Sequence, residues 1–134
     1  MSAAAIIRTL LVGSAGVTAQ VPAKQIFNGW LPLGTQAPAL GVTEISGFER
    51  QTVSMAERKR HRIQRVQVTI QARTYLEQKT LLELVRAACK HQTGPVVGFW
   101  LMAILPGGEG PDGGDADPGL RQQSIDFIVH WRAA

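Results

Sequence analysis

The stretch RVQVTIQARTY, Arg65 to Tyr75, constrains the fold more than any other part of the chain. Val66, Val68, Ile70 and Ala72 alternate with Gln67, Thr69, Gln71 and Arg73. A period of two puts the two rows on opposite faces of a β-strand, one apolar and one hydrogen-bonding. The apolar row demands a core. The other row is too neutral for an ordinary solvated face and too polar for a second core. The strand runs directly into Thr74-Tyr75-Leu76-Glu77, a capping box in which the Thr hydroxyl accepts from the amide three residues on and the Glu reaches back. A helix therefore starts here. Leu81, Leu84, Val85 and Ala88 form its apolar stripe, with Leu82 and Cys89 beside it and Glu83, Arg86 and Lys90 facing away.

The remaining elements follow from the same two periods. Ile6/Leu10 and Ile7/Leu11 are i,i+4 pairs of a first helix capped by Ser2 and stopped by Gly13, and further helical turns run from Ser14 to Val21 before Pro22. Ile26 and Phe27 read as a short strand, and 28–38 as loop. Ala39 to Ser46 reads as a strand, and 47–61 as a long loop or hairpin tip. Val96 to Leu105 is apolar on both faces, which predicts a central or covered strand. An acidic, Gly-rich loop follows over 107–119. Arg121 to Arg132 is the last strand, with Ile125, Phe127, Val129 and Trp131 on one face and Gln122, Ser124, Asp126 and His130 on the other. The order predicts one α+β domain over 1–134: a mostly antiparallel four-stranded sheet with helices packed on one face. A chain of 134 residues can bury about two thirds of its unfolded surface, enough for a core without disulfide or structural metal.

On that plan Gln67, Thr69 and Gln71 share the far side of the sheet with Gln122, Ser124 and Asp126. Two readings are open: a solvated sheet face, or a face that meets another protein or a water-filled lumen. Charge adds a second asymmetry. The net +4 is unevenly spread, with Arg50, Arg58, Lys59, Arg60, Arg62 and Arg65 in one segment and Glu109, Asp112, Asp115 and Asp117 in another. The basic segment suits a solvated loop base, nucleic acid, or an acidic protein surface. One such surface is the acidic loop of a neighbouring copy, the kind of contact that head-to-tail subunits in a ring make.

Motifs for chemistry are sparse. Gly108 to Gly113 matches G-x-G-x-x-G, but no helix follows to receive a phosphate and nearby carboxylates would repel one. Asp112, Asp115 and Asp117 lack the EF-hand spacing and read as an acidic turn. Cys89 reads as a core thiol, and His61, His91 and His130 have no zinc-site spacing. No enzymatic activity and no cofactor or metal is expected. MSAAAIIRTLLVGSAGVTAQVPA has no basic residue before its apolar run and Arg8 interrupts it, so no secretory leader is expected. No apolar run reaches the roughly 18 residues of a membrane span. The expectation is a soluble intracellular product with no membrane partner.

Four segments carry a resemblance. They are AAAIIRTLLVGSAGVTAQV, IFNGWLPLGTQAPALGVTEISG, RVQVTIQARTYLEQKTLLELVRAACK and QQSIDFIVHW. Together they resemble the small tail-terminator (tail-completion) proteins of long-tailed phages, prophages and gene-transfer particles, over nearly the whole chain. The most specific parts are the LP-x-G…P loop feeding a strand that ends ISG, the V-x-V-x-x-x-A-x-T-Y strand running into its helix, and the final S-x-D-F-x-V. The resemblance implies a homo-oligomeric ring, typically a hexamer, that caps the head-proximal end of the tail tube. Its partners would be tail tube protein and head-tail connector protein, with DNA passing through the channel. It implies location in the virion tail, and in host cytoplasm during assembly. Under it, the candidate interface residues are Arg58, Lys59, Arg60, Arg62, Arg65, Gln67, Thr69, Gln71, Glu109, Asp112, Asp115, Asp117, Gln122 and Ser124. A neck or connector component and a small basic nucleic-acid-binding protein are the rival expectations.

Overall fold

The structure, a computed structural model, describes residues 3–29, 31–32, 35–50, 61–90, 92–110, 113–114 and 121–133. Helix α1 (Ala3–Val12) buries Ala3, Ile6, Ile7 and Leu11, one stripe at helical spacing. Helix α2 (Ala15–Gln20) starts where the Ser14 hydroxyl accepts from the Val17 amide at 3.4 Å. A 3-10 turn, Ala23–Gln25, leads into β1 (Ile26–Asn28). Strands β2 (Ala39–Arg50) and β3 (His61–Ala72) precede α3 (Tyr75–Cys89). Strands β4 (Gly94–Val96), β5 (Phe99–Glu109), β6 (Gly113–Gly114) and β7 (Arg121–Ala133) complete the chain.

The sheet is larger and more mixed than the sequence predicts. Six strands follow the path β1-β2-β3-β7-β5-β4, curved into a half-barrel, and β6 adds to β7, making seven. The expected four-stranded, mostly antiparallel sheet is thus overturned. β1 runs parallel to β2, with Ile26 opposite Leu40; the other pairs are antiparallel. The discrepancy has physical causes. β4 and β6 are three and two residues long, built on Gly and Pro, and carry no side-chain period for a pattern to catch. The 47–61 and 107–119 segments begin as strand: β2 and β3 stay paired out to Arg50 opposite His61, and β5 runs on through Pro106 to Glu109. Glycine explains why these ends look like loop. A Cβ on Gly47 would lie 2.8 Å from the Gln64 side chain, and one on Gly107 would lie 3.0 Å from Asp126. These glycines permit close approach between strands rather than a turn.

The core lies between one sheet face and the helices. Leu40 and Val42, Val66, Val68, Ile70 and Ala72, and Ile125, Phe127, Val129 and Trp131 meet the buried residues of α1 and α3 there. Trp131 is 1% exposed and packs edge-on against Phe99, with ring centroids 4.7 Å apart. Its indole N–H donates to Gln64 Oε1 at 2.8 Å, and the same oxygen accepts from the Ala3 amide at 2.9 Å. One glutamine thus ties the last strand to the start of α1. Thr74 Oγ1 accepts from the Glu77 amide at 3.1 Å as the capping box predicts, but the Glu77 carboxylate reaches one residue further back, to the Arg73 amide at 3.0 Å.

The α3 stripe is rotated from its predicted position. Gln78, Leu81, Leu82, Val85 and Cys89 are buried, while Leu84 and Ala88 are only half-buried. Gln78 is tolerated in the core because its amide donates to Gln123 Oε1 at 2.9 Å, and Gln123 in turn donates to the Gly110 carbonyl at 3.0 Å. No helix among the described residues is long and apolar enough to cross a membrane.

Candidate functional site

The sheet face turned away from the helices is the candidate site. Cross-strand register builds it: Gln67 lies opposite Asp126, Thr69 opposite Ser124, and Gln71 opposite Gln122. On the other side of β3, Thr43, Gly41 and Ala39 of β2 stand opposite the same three residues. The two polar rows of β3 and β7 are therefore direct neighbours on one face.

That face is not uniform. At the Gln71 end the chain covers itself. Gln71 is 5% exposed; its amide donates to the Thr35 carbonyl at 2.7 Å and its oxygen accepts from Gln122 at 3.2 Å. Leu31 lies over Gly41, within 3.2 Å of where a Cβ would stand. The cover is the loop between β1 and β2, not a helix. Gln67, Thr69, Gln122 and Ser124 are half-buried. The Thr43 and Thr69 hydroxyls are buried without a hydrogen-bond partner among the described residues, which costs free energy while they stay unpaired.

The basic segment divides between the two faces. Arg65 lies on the polar face, where its Nε donates to Asp126 Oδ2 at 2.9 Å and its Nη2 donates to the Gly107 carbonyl. Arg62 lies on the helix face, its guanidinium 5.1 Å from the Trp131 ring centroid. Arg58, Lys59 and Arg60 lie outside the described residues, as do Asp112, Asp115 and Asp117. Glu109, the described member of the acidic set, pairs with Arg86 of α3. Among the described residues the basic and acidic sets do not meet; each finds a partner of its own within the chain.

Sequence reading missed a second cluster. His61 Nε2 and His130 Nδ1 lie 2.9 Å apart, a hydrogen bond that one ring donates and the other accepts, with ring centroids at 5.1 Å. They are far apart in sequence, yet the β3–β7 register places Ile63 opposite His130, one diagonal step from His61. Only the register could have revealed the pair. Next to them the same face turns apolar along β5, where Trp100, Met102 and Leu105 are exposed.

Cys89 is a buried free thiol, and burial pushes its pKa up to about 12, so it stays protonated and inert. It lines one wall of a crevice of about 350 Å³ between the end of α3 and β5, with Arg86 and Lys90 at the rim and Ile104, Pro106 and Phe127 inside. Among the described residues no group of three or more His, Cys, Asp or Glu could hold a metal ion.

No protein-family model matches the sequence, and no curated protein matches it. Comparison of folds does find similarity. The chain matches one in the virion of a native gene transfer agent particle, with a TM-score of 0.68 at 12% identity, covering 98% of this chain and 96% of that one. The two share a fold end to end.

Proposed function

We propose that this chain is a structural component of a phage-like particle, and within it a tail terminator: a ring that caps the head-proximal end of the tail tube, ends tube polymerisation and offers a surface for head joining. The observation that carries the reading is the end-to-end fold similarity to a chain of a gene transfer agent virion. The LP-x-G loop, the strand running into the capped α3 and the final S-x-D-F-x-V strand support the finer assignment. So does a hydrogen-bonding sheet face of Gln67, Thr69 and Ser124, of the kind that borders a wet channel or another protein. Its partners on this reading are copies of itself, tail tube protein and head-tail connector protein.

Deleting the gene in the producing cell tests the proposal, with particles viewed by electron microscopy. A terminator predicts unfilled joints: heads without tails, and tubes longer than the normal length. Purified protein added to such an extract should restore joined particles. Tubes of normal length that fail only to join heads would transfer the chain to the neck. Complete particles in the deletion strain would remove it from assembly altogether.

A further inference from the structure

Among the described residues, two stretches of strand edge lie open at opposite margins of the sheet. At one margin β1 covers β2 only from Leu40 to Val42, and no described residue pairs with the outer side of Thr43 to Arg50. At the other, β4 covers β5 only from Phe99 to Leu101, and no described residue pairs with the outer side of Met102 to Glu109. The two stretches are of equal length. Each is also interrupted by a bulge at an exposed apolar side chain: Ile45 in β2 and Met102 in β5.

Open edges invite another strand, and soluble proteins guard them with charge, proline or a covering loop. The β5 edge is guarded by shape rather than charge: from Met102 to Gly108 it carries no charge, and Pro106 and bulges at Met102 and Gly107 lie along it. Ile45 on β2 and Trp100, Met102 and Leu105 on β5 are exposed large apolar side chains; the others among the described residues are Tyr75, Leu76 and Val97. We infer that the open edge of β5 in one copy pairs with the open edge of β2 in the next, carrying the sheet across the subunit boundary. The inference rests on the ring reading above and names the surface that builds the ring.

Three features of the chain favour a second copy as the occupant. First, direction agrees. β2 opposes β3, β3 opposes β7 and β7 opposes β5, so β5 runs opposite to β2. Copies related by rotation about an axis along the strands bring β5 beside β2 in antiparallel sense, and the contact is heterologous, so it repeats and forms a ring where the rotation divides a full turn. Second, apolar groups meet. With the two stretches antiparallel, Ile45 from one margin lies one diagonal step from Leu105 on the other, and both leave water. Third, charge is complementary on the helix side. The β5 margin carries Lys90, which has no ion-pair partner among the described residues; Arg86 beside it is already paired with Glu83 and Glu109. The β2 margin carries the exposed Glu44, held only by 3.4 Å contacts to the Ala4 amide and Gln64. All helices then lie on one side of the continuous sheet, and the Gln67–Thr69–Ser124 face lies on the other in every copy.

Cysteines at the two margins test the pairing. The full chain with Ile45→Cys and Leu105→Cys is treated with a short bis-maleimide, and native mass spectrometry reads the oligomer beforehand. Both sites are exposed, and buried Cys89 stays out of the reaction. The double variant should give a cross-linked ladder that climbs past the dimer to the full ring, while each single variant stops at a dimer or does not react. Ile45→Glu alone or Leu105→Lys alone should disperse the ring, and the two together should recover it. A ring by mass without a ladder overturns the edge pairing and leaves the terminator reading standing. A chain that stays monomeric at high concentration, and also in the presence of tail tube, overturns both.

Discussion

Gln64 shows how much one polar side chain can hold. Its Oε1 receives the Trp131 indole N–H at 2.8 Å and the Ala3 amide at 2.9 Å, both at the edge of the core. Gln64→Leu keeps the bulk but strands both donors. A buried donor left unpaired costs about 1–3 kcal/mol, so the unfolding free energy from urea titration should fall by an amount in that range. Trp131→Phe in the same background should cost less than it does in the parent, because the acceptor is then already gone; additive losses would show that the bond contributes nothing. Glu77 makes a different kind of prediction. The Arg73 side chain hydrogen-bonded to it holds its carboxyl below the ordinary value, against an upward push from burial, with the Arg73 amide adding to the lowering. A depressed folded pKa means stability that is complete above the unfolded carboxylate range and is lost as pH falls through the folded value. Glu77→Gln should therefore flatten the acid side of the stability profile, and equal slopes for both proteins would rule the pair out as a source of pH dependence.

At the level of elements, legibility followed the period of the side chains. β3, β7 and α3 were readable because each is apolar on one side over many residues: Val66 to Ala72, Ile125 to Trp131, Leu81 to Cys89. The face shared by Gln67, Thr69, Gln122 and Ser124 was readable for the same reason, as what remains when the core row is removed. β4, β6 and the ends of β2 and β5 were not, because backbone pairing through Gly and Pro leaves no alternation. β1 was read as a short strand, but its parallel pairing was hidden by topology, since its partner lies beyond the loop that covers Gln71. Gln78 and Gln123 were hidden because each is polar alone and acceptable in the core only as a pair. Gly107 tests this account. A larger residue there meets the Asp126 backbone and Cβ at about 3 Å, just where Arg65 is anchored between Asp126 and the Gly107 carbonyl. Gly107→Val should lower thermal stability by about 1–3 kcal/mol, as overpacking does. If Gly107 were simply a loop glycine, the melting temperature would hold.

For the whole molecule, the competing sources of assembly energy are charge and strand edge, and salt separates them. Contact between a basic segment and a neighbour's acidic loop would draw on exposed charges, which are screened beyond about 3 Å at 1 M salt and contribute little even when paired. The intrachain contacts already weaken that mode. Arg65 is held by Asp126, Glu109 by Arg86, and Arg62 lies against Trp131 on the helix face. An interface of backbone hydrogen bonds and apolar side chains is indifferent to screening. The oligomer mass should accordingly persist from 0.1 M to 1 M salt, by sedimentation at fixed protein concentration, and Arg58→Glu with Arg60→Glu should leave it in place. Arg62 is best left out of that variant, because reversing it would disturb the Trp131 packing and confuse instability with loss of contact. Dissociation in high salt, matched by dissociation of the charge-reversed chain, would give the binding energy to the charged segments and leave the sheet margins without a role.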